Sequence, residues 1–231
     1  MTKPKPVASR AAAARKRILI VDDHPLMREG LRGTINREPD LMVCGEAENA
    51  PQAVELFQKL VPDLVLLDIS LPGKSGLELV KDFKATHCGT LILAISMYDE
   101  SLYAERILRA GASGYITKQQ PPEELIAAIR QVLDNRVYVS QEVSENLLRR
   151  FSGKPRPNPS PMEILTDREL EIFHLIGEGK SAKEIAWQLH ITSKTVAVHC
   201  ANIRQKFKLP STAQLIRFAV QWQEAGTAAD D

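Results

Sequence analysis

The sequence predicts an α/β fold, a doubly wound parallel sheet of five strands, followed by a small all-α domain. Three observations predict it. Over residues 17–134, short apolar runs alternate five times with stretches of helical period. This is the pattern of parallel strands buried on both faces and joined by crossover helices. The composition then changes. G-K-P-R-P-N-P-S-P, 153–161, places a proline at every second position from Pro155, and beyond it residues 166–222 show helical patterning alone. Finally, carboxylates stand at strand ends, Asp22 and Asp23 after the first run and Asp68 at the end of the third. Sheets of this kind place their working residues at the carboxyl ends of the strands.

The expected strands are I-L-I-V (18–21), L-M-V-C (41–44), D-L-V-L-L-D (63–68), L-I-L-A-I-S (91–96) and G-Y-I (114–116). Between and after them lie L-M-R-E-G-L-R-G-T-I, A-V-E-L-F-Q-K-L, L-E-L-V-K-D-F, Y-A-E-R-I-L-R-A and E-E-L-I-A-A-I-R-Q-V-L, each with apolar residues at helical spacing. S-Q-E-V-S-E-N-L-L-R-R-F reads as a short helix capped by Ser140. The alternating prolines cannot continue that helix and predict an extended, semi-rigid linker. The expected organisation is a basic disordered tail (1–16), an α/β domain (17–135), a linker with a short helix and a proline-rich segment (136–161), a helical domain (162–227) and a short tail (228–231). An arm that touches nucleic acid is the alternative reading of the N-terminal stretch 1–17, which carries Lys3, Lys5, Arg10, Arg15, Lys16 and Arg17 and no acid.

Apolar content of 44% and charged content of 26% are those of a soluble globular protein. The net charge of +1 leaves any electrostatic signal to local patches. No apolar run approaches the ~20 residues of a membrane span, and the N-terminal segment lacks the apolar stretch of a secretory signal. Three cysteines, Cys44, Cys88 and Cys200, match no zinc spacing and read as buried small apolar residues in a reducing, cytoplasmic setting.

In a right-handed parallel sheet the first and third strands are neighbours, so Asp22, Asp23 and Asp68 converge at one rim. Crowded acids raise one another's pKa unless a cation is present. Mg²⁺, a hard ion with oxygen ligands, relieves the repulsion and keeps positions open for a phosphoryl group. Ser96 at the end of the fourth strand offers a hydroxyl, and Lys118 after the fifth offers an ammonium. Such a set can accept a phosphoryl group on an aspartate. His24 reads as an exposed loop residue and not a ligand.

Taken together, D-D, D-I-S-L-P-G-K-S-G, S-M-Y-D and G-Y-I-T-K, in this order and strand context, resemble the receiver domain of bacterial response regulators over roughly residues 17–135. The resemblance implies a flavodoxin-like sheet with Asp68 as phosphoacceptor. It implies Mg²⁺ held by Asp23, Asp68 and the backbone carbonyl of Ser70, with Asp22 acting through water. It further implies a phosphate bond from Ser96, a phosphate pairing from Lys118, and a rotating aromatic at Tyr115. Many receivers follow the lysine with a cis proline; here it is Gln119, which puts that isomer in doubt. Ser70 and Tyr98, two positions after Asp68 and Ser96, border the path of attacking water and are expected to tune the lifetime of the phosphoryl group. An aspartyl-phosphate hydrolase on a similar sheet needs a second acid where this chain has Ser70.

In the helical domain Ser181 and Thr192 read as helix N-caps around K-E-I-A-W-Q-L-H-I, the geometry of a helix-turn-helix whose second helix enters the major groove. Along that helix Val196, Cys200, Ile203 and Phe207 recur at core spacing. Lys194, Ala197, Val198, Ala201, Asn202 and Gln205 then face outward. The segment resembles the LuxR-type helix-turn-helix over roughly 162–225, and the two resemblances together imply a response regulator of the NarL/FixJ class. Phosphorylation by a partner histidine kinase is expected to favour a homodimer bound to promoter DNA. The expected DNA contacts are Thr192, Lys194, Thr195, Ala197, Val198, Ala201, Asn202, Arg204 and Lys206. Ala197 stands where relatives carry lysine. An apolar face of Ala197, Val198 and Ala201 suits thymine methyls and makes no bidentate contact to guanine. That shifts weight to phosphate contacts and DNA shape. Residues 166–222 carry a net charge of only +3. A phosphorylation-gated module that binds a protein is the alternative reading of this domain.

Overall fold

The computed structural model describes residues 14–71, 73–98, 100–151 and 164–227. Most of the basic tail, the proline-rich segment and the last four residues lie outside them. β1 (Lys16–Val21), β2 (Leu41–Ala47), β3 (Leu64–Asp68), β4 (Leu91–Ser96) and β5 (Gly114–Thr117) form one sheet in the order β2-β1-β3-β4-β5. All four pairings are parallel. α1 (Pro25–Asn36), α2 (Ala50–Leu60), α3 (Gly76–Thr86), α4 (Glu100–Ala110) and α5 (Pro122–Leu133) are the crossovers. Winding reverses between β1 and β3, and the register pairs Val21 with Leu67, so the residues that follow, Asp22 and Asp68, stand side by side.

The period of two along each strand sorts the side chains into two cores. Leu19, Val21, Val65, Leu67, Ile92 and Ala94 pack with Phe57, Phe83, Tyr103 and Ile107 from α2, α3 and α4. Ile18, Ile20, Leu64, Leu66, Leu93 and Ile95 pack with Leu31, Ile35, Ile126 and Ile129 from α1 and α5. Each fully buried side chain stabilises the sheet by about 1.5–3 kcal/mol. The first strand begins at Lys16, and Arg15 holds the carbonyl of Leu41 at 2.7 Å, so the ordered fold reaches into the segment expected to be tail.

α6 (Gln141–Phe151) follows Ser140, whose hydroxyl accepts the N–H of Val143. α7 (Asp167–Gly177) and α8 (Ala182–Gln188) both start with reciprocal caps, Thr166 with Glu169 and Ser181 with Glu184. α9 (Ser193–Lys206) is capped by Thr192, and α10 (Thr212–Thr227) closes the domain. Phe173, Phe207 and Phe218 pack ring against ring at 5.0–5.8 Å. Leu215, Phe218, Ala219 and Trp222 of α10 turn into this core, whereas Ile216 stays exposed.

The cysteines depart from expectation. All three are free, Cys44 and Cys200 are half-buried, and Cys88 is exposed.

Candidate functional site

The rim at the carboxyl ends of β1 and β3 holds the acids. Asp22 and Asp68 are both fully buried. Two loops shape the pocket. The Ser70 N–H donates to Asp68 Oδ1 at 2.8 Å, and the His24 N–H donates to Asp22 Oδ1 at 2.8 Å. Gly76 lets α3 start close against β3, since a Cβ there would meet Ile69 Cα at 2.4 Å.

β5 brings the cation. Lys118 Nζ lies 2.6 Å from Asp68 Oδ2 and 2.7 Å from Asp22 Oδ2, with its side chain 4% exposed. Its backbone is tied to β4 by Lys118 N–H to Ser96 O at 2.7 Å. Burial works to lower the Lys118 ammonium, but the Asp68 and Asp22 carboxylates outweigh it and hold the pKa above the ordinary lysine value. Burial likewise raises Asp68 above the carboxylate range, against the pull of Lys118.

The donor set fits a metal ion. Asp22, Asp23, His24 and Asp68 each offer one ligand atom within 4.8 Å of the others. His24 Nδ1 lies 2.8 Å from Asp23 Oδ1, and that oxygen is buried without a hydrogen-bond partner. Such an oxygen is costly to leave unpaired. Lys118, bridging Asp22 and Asp68, neutralises two of the acids from the side. His24 thus belongs to the cluster, although its side chain is exposed as expected. Reading residue by residue missed this because a histidine's reach depends on the turn after β1.

Ser96 is buried, and its hydroxyl accepts the N–H of Tyr98 at 3.1 Å. Tyr115 is buried, and its hydroxyl donates to the Tyr98 carbonyl at 2.7 Å. Tyr98 stacks on Tyr103 with ring centres 4.8 Å apart and meets His174 edge-on at 4.6 Å. Burial pushes its hydroxyl far above the ordinary tyrosine value. Among the described residues there is no cis peptide bond, so Lys118–Gln119 is trans.

The second candidate surface is α9. Lys194, Ala197, Val198, Ala201, Asn202 and Gln205 are exposed along one side, while Val196 and Ile203 are fully buried. Thr192 spends its hydroxyl on the cap, accepting from Thr195 N–H at 3.1 Å. The basic residues toward the end of the helix differ from expectation. Lys206 turns back to Glu169 Oε2 at 2.5 Å and Ile164 O at 3.0 Å, and Arg204 reaches Thr212 Oγ1 at 3.4 Å. Burial works to raise Glu169, but Lys206 and the Thr166 cap outweigh it and hold its carboxyl below the usual range. No sequence pattern marks this inward turn, because it depends on how α7 crosses α9.

Contacts between the two halves were also outside the reach of sequence reasoning. Ser75 Oγ donates to the buried Glu171 at 2.9 Å, and Arg106 Nη1 donates to Asp167 and to the Leu165 carbonyl, each at 2.9 Å.

Comparison with known proteins gives two family matches, "Response regulator receiver domain" over residues 18–130 and "Bacterial regulatory proteins, luxR family" over residues 163–219. The chain is 36% identical over 210 residues to the oxygen regulatory protein NreC of Staphylococcus aureus strain MRSA252, covering 89% of this chain and 97% of that one. It is 33% identical to the transcriptional regulatory protein DegU of Brevibacillus brevis, covering 86% and 90%. Among solved structures, a LuxR-family two-component response regulator from Aurantimonas sp. SI85-9A1 is 36% identical, with a TM-score of 0.56 over 60% of this chain and 99% of that one.

Proposed function

Because the chain belongs to the response regulators of the NarL/FixJ class, which join a receiver domain to a LuxR-type DNA-binding domain, we propose that Asp68 accepts a phosphoryl group from a partner histidine kinase and thereby controls binding to promoter DNA. The observation that carries this reading is the meeting of Asp22, Asp68 and Lys118 at the ends of three different strands in one buried rim.

An Asp68 carboxylate oxygen attacks the phosphorus of the kinase phosphohistidine, the P–N bond breaks, and the imidazole leaves. Asp22, Asp23, Asp68 and the Ser70 carbonyl are the groups that would hold Mg²⁺, which supplies positive charge to the phosphoryl oxygens. Lys118 loses its ion pair with the Asp68 carboxylate on phosphorylation and pairs with the phosphoryl group. Ser96 donates its hydroxyl to a phosphoryl oxygen, and Tyr115 follows the change at β4. Ser70 and Tyr98 control the entry of water and so the lifetime of the acyl phosphate. The chain's only chemistry is then on its own aspartate, gain of the phosphoryl group and its hydrolysis.

Lys194, Thr195 and Asn202 meet DNA from α9, with Ala197, Val198 and Ala201 against base edges in the major groove. Phosphorylation favours a homodimer, which doubles the modest charge of one domain. The protein works in the cytoplasm.

The test is a genomic-fragment pulldown with purified chain, with and without Mg²⁺ and beryllofluoride, a mimic of the phosphoryl group, alongside Asp68→Asn. Specific fragments retained only by activated wild type are the expected result. The same fragments retained in every condition would sink the gating role of Asp68.

A further inference from the structure

His24 follows the two acids of β1 and takes the N-cap position of α1, yet its side chain makes no capping hydrogen bond. Pro25 opens the helix and confines the residue before it to extended backbone, here φ −86° and ψ 110°. The turn is tied at two more points. The His24 N–H donates to Asp22 Oδ1 at 2.8 Å, and Arg28 Nη1 donates to the Asp22 carbonyl at 2.6 Å. From this fixed backbone the imidazole reaches back to the acids, with Nδ1 2.8 Å from Asp23 Oδ1 and 3.4 Å from Asp22 Oδ1.

Those spacings are the edges of a coordination shell. Ligand atoms about 2.1 Å from one ion stand about 3.0 Å apart at octahedral corners and about 3.4 Å apart at tetrahedral ones. Asp68 offers an oxygen to the same cluster, and the four ligand atoms all lie within 4.8 Å of one another. Two carboxylate oxygens of the cluster are buried without a hydrogen-bond partner. Asp23 Oδ1 is the one beside His24. Asp22 Oδ2, in a fully buried side chain, has the Lys118 ammonium beside it at 2.7 Å.

We propose that His24 is a direct ligand of the ion at this rim, so that the site takes a first-row transition-metal dication in preference to Mg²⁺. This rests on the reading of the rim as the metal site that serves Asp68. Carboxylate and carbonyl oxygens suit Mg²⁺, a hard ion that keeps its waters. An imidazole nitrogen adds little to its hold on Mg²⁺ but strengthens the hold on Mn²⁺ and, more, on the later metals of the row. Loss of even an outer-shell partner of a metal ligand costs about 10- to 100-fold in affinity, which sets the scale for loss of the ligand itself. A protonated ring serving only as counter-charge to Asp23 has the opposite sign, since removing a competing cation strengthens metal binding.

The experiment is titration of the full chain with Mn²⁺, followed by loss of the free-ion electron paramagnetic resonance signal, for wild type, His24→Ala and Asp23→Asn. Mg²⁺ as competitor gives its own affinity in the same samples, and electron spin echo modulation of bound Mn²⁺ reports a nitrogen ligand directly. Wild type is expected to show coupled ¹⁴N. His24→Ala should lose that coupling and about tenfold in Mn²⁺ affinity, with Mg²⁺ affinity changed by less than about twofold. Asp23→Asn should weaken both ions. Mn²⁺ affinity that is unchanged or raised in His24→Ala overturns the proposal, as does nitrogen coupling that survives the substitution. An equal loss for both ions would reduce His24 to holding the turn and overturns it as well. Binding of neither ion by wild type would instead remove the metal-site reading beneath it.

Discussion

The rim around Asp68 and the exposed side of α9 are built in opposite ways. At the rim, three strands and their loops bring Asp22, Asp23, Asp68 and Lys118 together, with Lys118 paired to Asp22 and Asp68 and one oxygen of Asp23 left without a hydrogen-bond partner. On α9, one helix presents Lys194, Ala197, Val198, Ala201 and Asn202 to solvent, and near its end Arg204 and Lys206 contact Thr212 and Glu169 of the same domain. The first site stores its electrostatics within the fold, and a change of charge there must be relayed by moving parts. The second presents few charges and is already exposed, so little there has to rearrange.

Removing the cation from the rim is the hardest test of this contrast. Lys118→Ala leaves Asp22 and Asp68 buried without it and is expected to cost about 3 kcal/mol of stability in urea unfolding without divalent metal. Millimolar Mg²⁺ should restore much of the loss. An equal loss with and without Mg²⁺ would mean that the acids do not form a cation site.

In the C-terminal domain the starts of α7, α8 and α9 are held by side-chain caps. Thr192→Ala removes the α9 cap and should cost about 1 kcal/mol in thermal unfolding of the C-terminal domain. An unchanged transition would show that packing alone holds the start of the helix.

Two lysines on α9 sharpen the comparison. Lys194→Ala should lower the slope of log affinity against log salt by about 1 on duplex DNA and leave stability alone. Lys206→Ala should do the reverse, because its ammonium is committed to Glu169. A fall in salt slope for Lys206→Ala would place it on the phosphate backbone.

The smallest expected effect is one of pH. Hydrogen bonding from His174, assisted by Lys180, lowers Glu178 to about 2. A carboxyl depressed in the fold contributes stability above its ordinary value near 4.5 and loses it as pH falls toward 2. Glu178→Gln should therefore flatten the acid limb of the stability curve between those values. Superimposable limbs would remove Glu178 from the account.

Much of the fold was legible because its signals are local. Four-residue apolar runs, helical spacing, Ser140, Ser181 and Thr192 as caps, and a carboxylate at the end of a buried strand each follow from backbone geometry and burial over a few residues. Parallel winding then places Asp22 beside Asp68 without further information. The membership of His24 in the acid cluster, the inward turn of Lys206 and Arg204, the exposure of Cys88 and the strand pairing that reaches back to Lys16 were not legible. Each depends on a neighbour far away in the chain or on one turn's dihedral angles.

By itself the sequence determined the strand and helix order, the two families of pattern, the residues that carry charge at strand ends and the apolar character of the outward side of α9, because periodicity and residue chemistry act over short distances. Only the tertiary structure decided that Lys118 bridges two buried acids, that Tyr98 ties Ser96 to Tyr115, and that α7 meets the receiver at Ser75, Arg106 and Tyr98 with α9 left open. Those contacts reach across as many as 96 residues of chain, and even the shortest of them joins two different strand ends 17 residues apart, and which of many possible partners such side chains choose is settled by how whole elements pack.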